Sequence, residues 1–185
     1  MKKIIGNPNK TNQEIINLIK KTKINNYFLK NKKDFRDKIL EEISPNDHVV
    51  DIGMAMRNKH KKIKSALLQT LDVNDFGDYP DIICDICSDI NGLEKKYDKI
   101  ICLAILEHVY NPFKAIENLR SMLKDNGIIY GFVPYLYKYH APMDLKYQDY
   151  FRFSKDTLAY LFKDFNDVEL FPLRGRLSSA LHMLF

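Results

Sequence analysis

Four short apolar runs recur through the middle of this chain, and each gives out on an acid or a small residue. They are His48-Val-Val-Asp-Ile52, Leu67-Leu-Gln-Thr-Leu-Asp72, Asp81-Ile-Ile-Cys-Asp85 and Lys99-Ile-Ile-Cys-Leu-Ala104. Near-continuous apolar runs of this length, rich in β-branched residues, are what strands buried on both faces of a parallel sheet look like. Polar groups gathered at the carboxyl edge of such a sheet are what a nucleotide-like ligand needs, because open α/β sheets bind ligands beyond the ends of their strands. The pattern therefore predicts an α/β fold with a doubly wound, mostly parallel sheet.

The first run is bounded by Pro45-Asn46 before it and Gly53 after it. An acid at Asp51 followed two residues later by glycine suits a ligand edge. The carboxylate accepts hydrogen bonds there, and glycine permits a tight turn and a close backbone approach. The basic segment Arg57 to Lys64 leaves room for only a short helix before the second run. That run ends on Asp72, close to the separation at which nucleotide-binding α/β folds place a carboxylate for a ribose diol.

Downstream, Asn111-Pro112 predicts a helix start with Asn as N-cap, a buried stripe of Phe113, Ile116, Leu119 and Leu123, and a stop at Gly127. Ile128 to Val133 reads as a fifth strand closed by Pro134, and Ser154 opens a helix carrying Leu158, Leu161, Phe162 and Phe165. Val168 to Phe171 is a sixth strand candidate. Upstream, Thr11-Asn-Gln-Glu14 has capping-box spacing for a helix over about residues 12 to 23, and Phe35, Ile39 and Ile43 predict another ending before Ser44-Pro45. The expected division is a basic helical N-terminal extension, residues 1–46, followed by the α/β domain, residues 47–185.

The charge follows that division. Residues 1–46 hold eleven Lys and Arg against five acids, whereas the remainder holds 18 against 19, so the net charge of +5 belongs to the leader. Such an arm contacts nucleic acid, acidic lipid or a phosphorylated substrate, or else is a solvated helix face of a Lys-, Ile- and Asn-rich sequence. No apolar run approaches the roughly 20 residues of a membrane span. The three cysteines, Cys84, Cys87 and Cys102, form no disulfide framework and fit a reducing compartment, so a cytoplasmic location is expected. Cys84-Asp-Ile-Cys87 has Cys-x-x-Cys spacing, but a zinc site needs two further ligands and a redox site needs a strand-to-helix turn.

Taken together, Val49-Val50-Asp51-Ile52-Gly53, Asp72, Asp85 and Leu106-Glu107-His108-Val109-Tyr110-Asn111-Pro112 resemble the class I S-adenosylmethionine-dependent methyltransferases, in particular the group often called type 11. The resemblance covers about residues 47–171. It implies a Rossmann-like methyltransferase fold with S-adenosylmethionine as cofactor. It further implies that Asp51 and Gly53 border the methionine moiety, that Asp72 takes the ribose hydroxyls, that Asp85 with Ile86 meets the adenine, and that Leu103 and His108 lie beside the sulfonium. The family's later glycine positions hold Ala55 and Arg57 here, and Ala104 stands where many relatives have glutamate. Its last, antiparallel strand is either missing or lies within residues 172–185. The apolar residues Leu181, Met183, Leu184 and Phe185 suggest a homodimer contact or a chain cut short.

For a hydroxyl acceptor a general base is needed, and His140 and His108 are the candidate catalytic residues because imidazole titrates near neutrality. Asp149-Tyr-Phe-Arg-Phe-Ser154 supplies rings and a guanidinium for a sugar or phosphate. Alternatively Arg152 pairs internally, Ser154 caps a helix and Phe151 and Phe153 fill the core. The base-methylating Asn/Asp-Pro-Pro-Tyr type of motif is absent, with Val133-Pro134-Tyr135 in its place, which counts against a nucleic-acid substrate. The expected activity is methyl transfer from S-adenosylmethionine to a hydroxyl of a small molecule or glycan. The competing expectation is a non-catalytic, methyltransferase-like binding module with a weakened cofactor site.

Overall fold

The computed structural model describes residues 8–24, 32–53, 56–142 and 144–173, apart from the side chains of residues 8–12, 24 and 32. Five strands form one all-parallel sheet: β2 (His48–Ile52), β3 (Leu67–Asp72), β4 (Ile82–Ile83), β5 (Tyr97–Leu103) and β6 (Leu123–Phe132), in the spatial order β4-β3-β2-β5-β6. The chain moves outward from β2 to β3 and β4, then crosses back to lay β5 against the other side of β2. The topological switch point therefore lies between the carboxyl ends of β2 and β5, the place where such sheets leave a crevice.

Strand alternation sorts the core into two layers. Val49, Ile101, Leu103 and Tyr130 point to one face, where Ile39 and Ile43, from helix α2 (Lys32–Glu42) and the residue after it, cover them together with Met56 and Ile63. Val50, Ile52, Ile100 and Cys102 point to the other face and meet Ala115, Ile116, Leu119 and Met122 of α3 (Pro112–Met122), with Phe153 and Leu161. Leu161 is the last residue of α4 (Lys155–Leu161). Helices on both faces explain why these strands are apolar throughout rather than alternating. The doubly wound, parallel class expected from the sequence is the class observed.

The short first core helix is a 3-10 segment, Arg57–Lys62. At α3, Asn111 accepts the Lys114 N–H at 3.1 Å with Pro112 in the first turn, as its sequence predicts. The stripe needs correction, since Phe113 is 55% exposed and Leu123 begins β6. The covered face runs instead through Ala115, Ile116, Asn118, Leu119 and Met122. The helix also stops at Met122, ahead of Gly127, and Asn126 rather than the glycine takes the left-handed conformation, with φ 65°.

A second correction concerns the sixth strand candidate. Glu169–Leu170 (β7) does not join the central sheet; it pairs in parallel with β1 (Lys23–Ile24), and Lys23 forms an ion pair with Glu169. Helix α1 (Pro8–Lys21), which starts and ends a few residues earlier than the sequence predicts, lies against α4. The apolar tail from Leu177 to Phe185, with its expected final strand, helix or dimer contact, falls outside the described residues. Among the described residues no helix is long and apolar enough to cross a membrane.

Candidate functional site

Two left-handed residues mark the switch point. Gly53, just past β2, has φ 72°, and Ala104, just past β5, has φ 58°. Ile105 packs so closely over Gly53 that a Cβ on the glycine would sit 2.0 Å from Ile105 Cδ1. Gly53 N–H donates to the Leu71 carbonyl at 2.9 Å and Ala104 N–H to the Phe132 carbonyl at 2.7 Å, so neighbouring strands hold both turns. Alanine in the left-handed region costs energy that glycine avoids, and such positions concentrate where a backbone is shaped for a ligand.

Asp51 is wholly buried one residue before the end of β2. Its Oδ2 accepts the Met56 N–H at 3.1 Å and lies 2.7 Å from His60 Nε2, while its Oδ1 is a buried acceptor with no hydrogen-bond partner among the described residues. Burial raises the Asp51 pKa above the ordinary carboxylate value; the His60 hydrogen bond and charge oppose this without cancelling it. Asp51 thus accepts from the backbone five residues further on. Ala55 lies outside the described residues.

Asp72 ends β3, and its Oδ1 accepts both the backbone N–H and the side-chain amide of Asn74, at 2.9 and 3.2 Å. Asn74 is buried and its Oδ1 accepts the Lys146 N–H at 3.0 Å, which ties the end of β3 to the loop carrying Tyr147 and Gln148. Asp85 turns back on its own loop: Oδ1 accepts the Cys87 N–H at 2.8 Å, and Oδ2 accepts from Ser88 Oγ and the Tyr110 hydroxyl, both at 3.3 Å. Ile86 and Leu103 are buried beside these turns. Cys84 and Cys87 donate to the carbonyls of Asp85 and Asn111, at 3.6 and 3.4 Å, and burial raises the pKa of both thiols.

Beyond β5, the 3-10 turn Leu106–His108 brings a third group to the same edge. His108 and His140, 32 residues apart, meet with their Nε2 atoms 3.2 Å apart and their rings tilted by 71°. Each ring is fixed from behind. His108 Nδ1 lies 2.8 Å from the Gln148 carbonyl, and His140 Nδ1 lies 3.0 Å from Asp149 Oδ2 and 3.2 Å from the Lys138 carbonyl. Glu107, fully buried, directs Oε1 toward both rings, 4.0 Å from His108 Nε2 and 3.8 Å from His140 Nε2. Burial lowers the His108 pKa below its ordinary value, with the His140 charge adding to the effect.

Arg152 anchors this arrangement. Its guanidinium pairs with both oxygens of Asp149 and donates to the carbonyls of Tyr137, Lys138 and Phe151. The Arg152 hydrogen bond is the largest influence on Asp149 and holds its pKa down to about 2. Ser154 accepts the Thr157 N–H at 3.2 Å as N-cap of α4, and Phe153 is buried with Phe151 packed against the same core. Of the two readings of residues 149–154, the structural one describes what these side chains contact.

The sequence-predicted histidines are therefore brought together, and Asp51, Asp72 and Asp85 stand at or just past the ends of adjacent strands. Glu107, Asp149 and His60 were missed as site residues. The first was in plain view within Leu-Glu-His-Val and the second within Asp149-Tyr-Phe-Arg-Phe-Ser154, whereas His60 acts through a contact that no local pattern encodes.

No family model matches the chain. A 36-residue stretch, 20% of this chain, is 42% identical to a ubiquinone biosynthesis O-methyltransferase of Histophilus somni (strain 2336), and it spans 15% of that protein. Among solved structures, the chain is similar to the trans-methyltransferase CalH in complex with SAH, at 15% identity and a TM-score of 0.38, over 47% of this chain and 32% of that one. A second is the complex of the Haloferax volcanii Trm112 methyltransferase activator with a methyltransferase described there as putative, at 18% identity and a TM-score of 0.41, over 52% and 50%. A third is the [4+2]-cyclase SpnF, at 13% identity and a TM-score of 0.48, over 80% and 66%. In each case the match leaves a third or more of the relative's own length uncovered. With β4-β3-β2-β5-β6 as its strand order and its motifs at the carboxyl edge, the chain has a Rossmann-like fold and resembles the class I S-adenosylmethionine-dependent methyltransferases.

Proposed function

We propose that this protein transfers the methyl group of S-adenosylmethionine to a hydroxyl of a small molecule or glycan. One observation carries the reading: carboxylates near the carboxyl ends of three adjacent parallel strands, Asp51, Asp72 and Asp85, line one side of a switch point at which Gly53 leaves no room for a Cβ. Carboxylates are acceptor-only groups and suit the hydroxyls and exocyclic amine of an adenosine. In this reading Asp72 accepts from the ribose hydroxyls, Asp85 and Ile86 border the adenine, and Asp51 and Gly53 shape the turn beside the methionine end, with Leu103 and His108 next to the sulfonium.

When bound, the cofactor supplies an electrophilic methyl group on a positively charged sulfur. The chain's part is positioning, which contributes up to ~7–11 kcal/mol when the reacting atoms are held in line. His140 Nε2, turned into the cluster by its contacts at Nδ1, would take the proton the acceptor hydroxyl loses as its oxygen bonds to the methyl carbon and the carbon–sulfur bond breaks, the sulfur leaving as a neutral thioether.

Titration calorimetry with S-adenosylmethionine and its demethylated product tests this directly. Both are expected to bind, and Asp72→Ala is expected to weaken binding by about 10-fold or more, the worth of hydrogen bonds to a charged acceptor. No heat at millimolar ligand sinks the enzyme reading, and unchanged affinity in Asp72→Ala sinks the ribose assignment. One observation favours a non-catalytic binding module instead: the Asp85 carboxylate is already engaged by three groups of its own surroundings. Absent binding in that titration is the outcome this second reading requires.

A further inference from the structure

We infer that Glu107, His108 and His140 form a binding site for a divalent transition-metal ion of the zinc class. The inference does not depend on the methyl-transfer reading, because it rests on how the two imidazoles are held. Each Nδ1 has an acceptor within hydrogen-bond reach, the Gln148 carbonyl for His108 and the Asp149 carboxylate with the Lys138 carbonyl for His140. Nδ1 therefore carries the proton in each neutral ring, and each Nε2 presents a lone pair. The two lone pairs are aimed into one small volume, 3.2 Å apart, where they repel unless a cation lies between them.

The spacing suits a metal. With bonds of ~2.0–2.1 Å, two nitrogens on a tetrahedral zinc ion are about 3.3 Å apart. The carboxylate edges, 4.0 and 3.8 Å, are longer than a closed tetrahedral site requires, so Glu107 must move closer when the ion binds. Two imidazoles and one carboxylate are the ligand set of catalytic zinc sites, which keep a fourth position open. The surroundings match as well: metal-ligating histidines almost always donate their other ring N–H to a carboxylate or backbone carbonyl. Arg152, gripping both oxygens of Asp149, fixes the His140 side of that outer layer. The ring of His140 is part exposed, at 28%, which leaves a path of entry.

An ion held by both Nε2 atoms uses the lone pairs that otherwise take up a proton. Under the methyl-transfer reading, metal-loaded and metal-free protein would therefore differ in how an acceptor hydroxyl is activated, by coordination in one and by imidazole in the other.

The test is uptake of Co2+, followed by its visible absorption, into the full chain carrying no histidine tag, with displacement by Zn2+. One equivalent is expected to bind with the intense bands of a tetrahedral site. His140→Ala and His108→Ala are each expected to weaken uptake at least about 100-fold, the upper end of what losing a mere supporting partner costs. Circular dichroism confirms that each variant is folded, and Glu107→Gln, which keeps the shape of a buried residue, reports on the carboxylate. Cys84→Ala/Cys87→Ala is expected to leave uptake unchanged. No uptake by folded protein overturns the proposal, as happens if a shared proton alone sits between the rings. Uptake lost in the cysteine variant but kept in the histidine variants also overturns it. Calorimetry with S-adenosylmethionine is a separate readout, so failure of one proposal leaves the other standing.

Discussion

His60 Nε2 lies 2.7 Å from Asp51 Oδ2, across a turn that no other side chain described here bridges to that carboxylate. A buried carboxylate without a partner is expensive, and its second oxygen is already unmatched. His60→Ala leaves Oδ2 with the Met56 N–H alone and is therefore expected to destabilise the fold by about 1.5–3 kcal/mol, the worth of a hydrogen bond to a charged group. Urea unfolding checks this. A midpoint equal to that of the parent chain would show that Asp51 gains nothing from the ring.

Gly53 gives a second expectation. Alanine there must adopt φ 72° and meets Ile105 Cδ1, which is the far end of a flexible side chain. Gly53→Ala is expected to cost about 1–3 kcal/mol of stability through the strained backbone. Adding Ile105→Ala removes the clash but not the strain. Full recovery in the double variant, measured by thermal unfolding, contradicts the backbone explanation.

Arg152→Lys keeps the positive charge and loses the planar fork that reaches Asp149 and three carbonyls at once. The expected result is faster hydrogen exchange across residues 137–151 with little change in β2 and β5. Unaltered protection of that loop argues that the fork is dispensable.

Tyr97 is buried with its hydroxyl donating to Gln69, and burial pushes its pKa up to about 12. Tyr130, donating to Glu42, is raised as well, first by burial and then by that carboxylate. An acid whose folded pKa is raised stabilises the fold fully below its unfolded value, near 10, and the stabilisation is lost as pH climbs through the folded value. Stability is thus expected to fall between about pH 10 and 12. In the ultraviolet phenolate titration, Tyr97 and Tyr130 are expected to ionise later than free tyrosine.

The sheet was legible because its information is local. An interior parallel strand needs a short apolar run, and each of Val49-Val50, Leu67-Leu68 and Ile100-Ile101 carries that requirement on its face, the first and last with β-branched residues. Helix α3 could be read for the same reason from Asn111-Pro112, and Ile116 and Leu119 of its stripe are buried, although Phe113 turns outward and Leu123 belongs to β6. Two classes of feature were not legible. A two-residue strand such as Glu169–Leu170 has no period, so its pairing with β1 rather than the sheet is decided by contacts far away in sequence. The cluster at Glu107 depends on a loop that brings His140 back across 32 residues, and only packing specifies that distance.

The pairing of Lys23–Ile24 with Glu169–Leu170 spans almost the whole described chain. During synthesis the amino-terminal partner emerges first and has nothing to bind until residue 170 has left the ribosome. Contacts of such long sequence separation form late, because chain entropy must be given up before they contribute. The order of events follows: the central sheet, whose strands lie closer together in sequence, forms first, and the β1–β7 pair closes last.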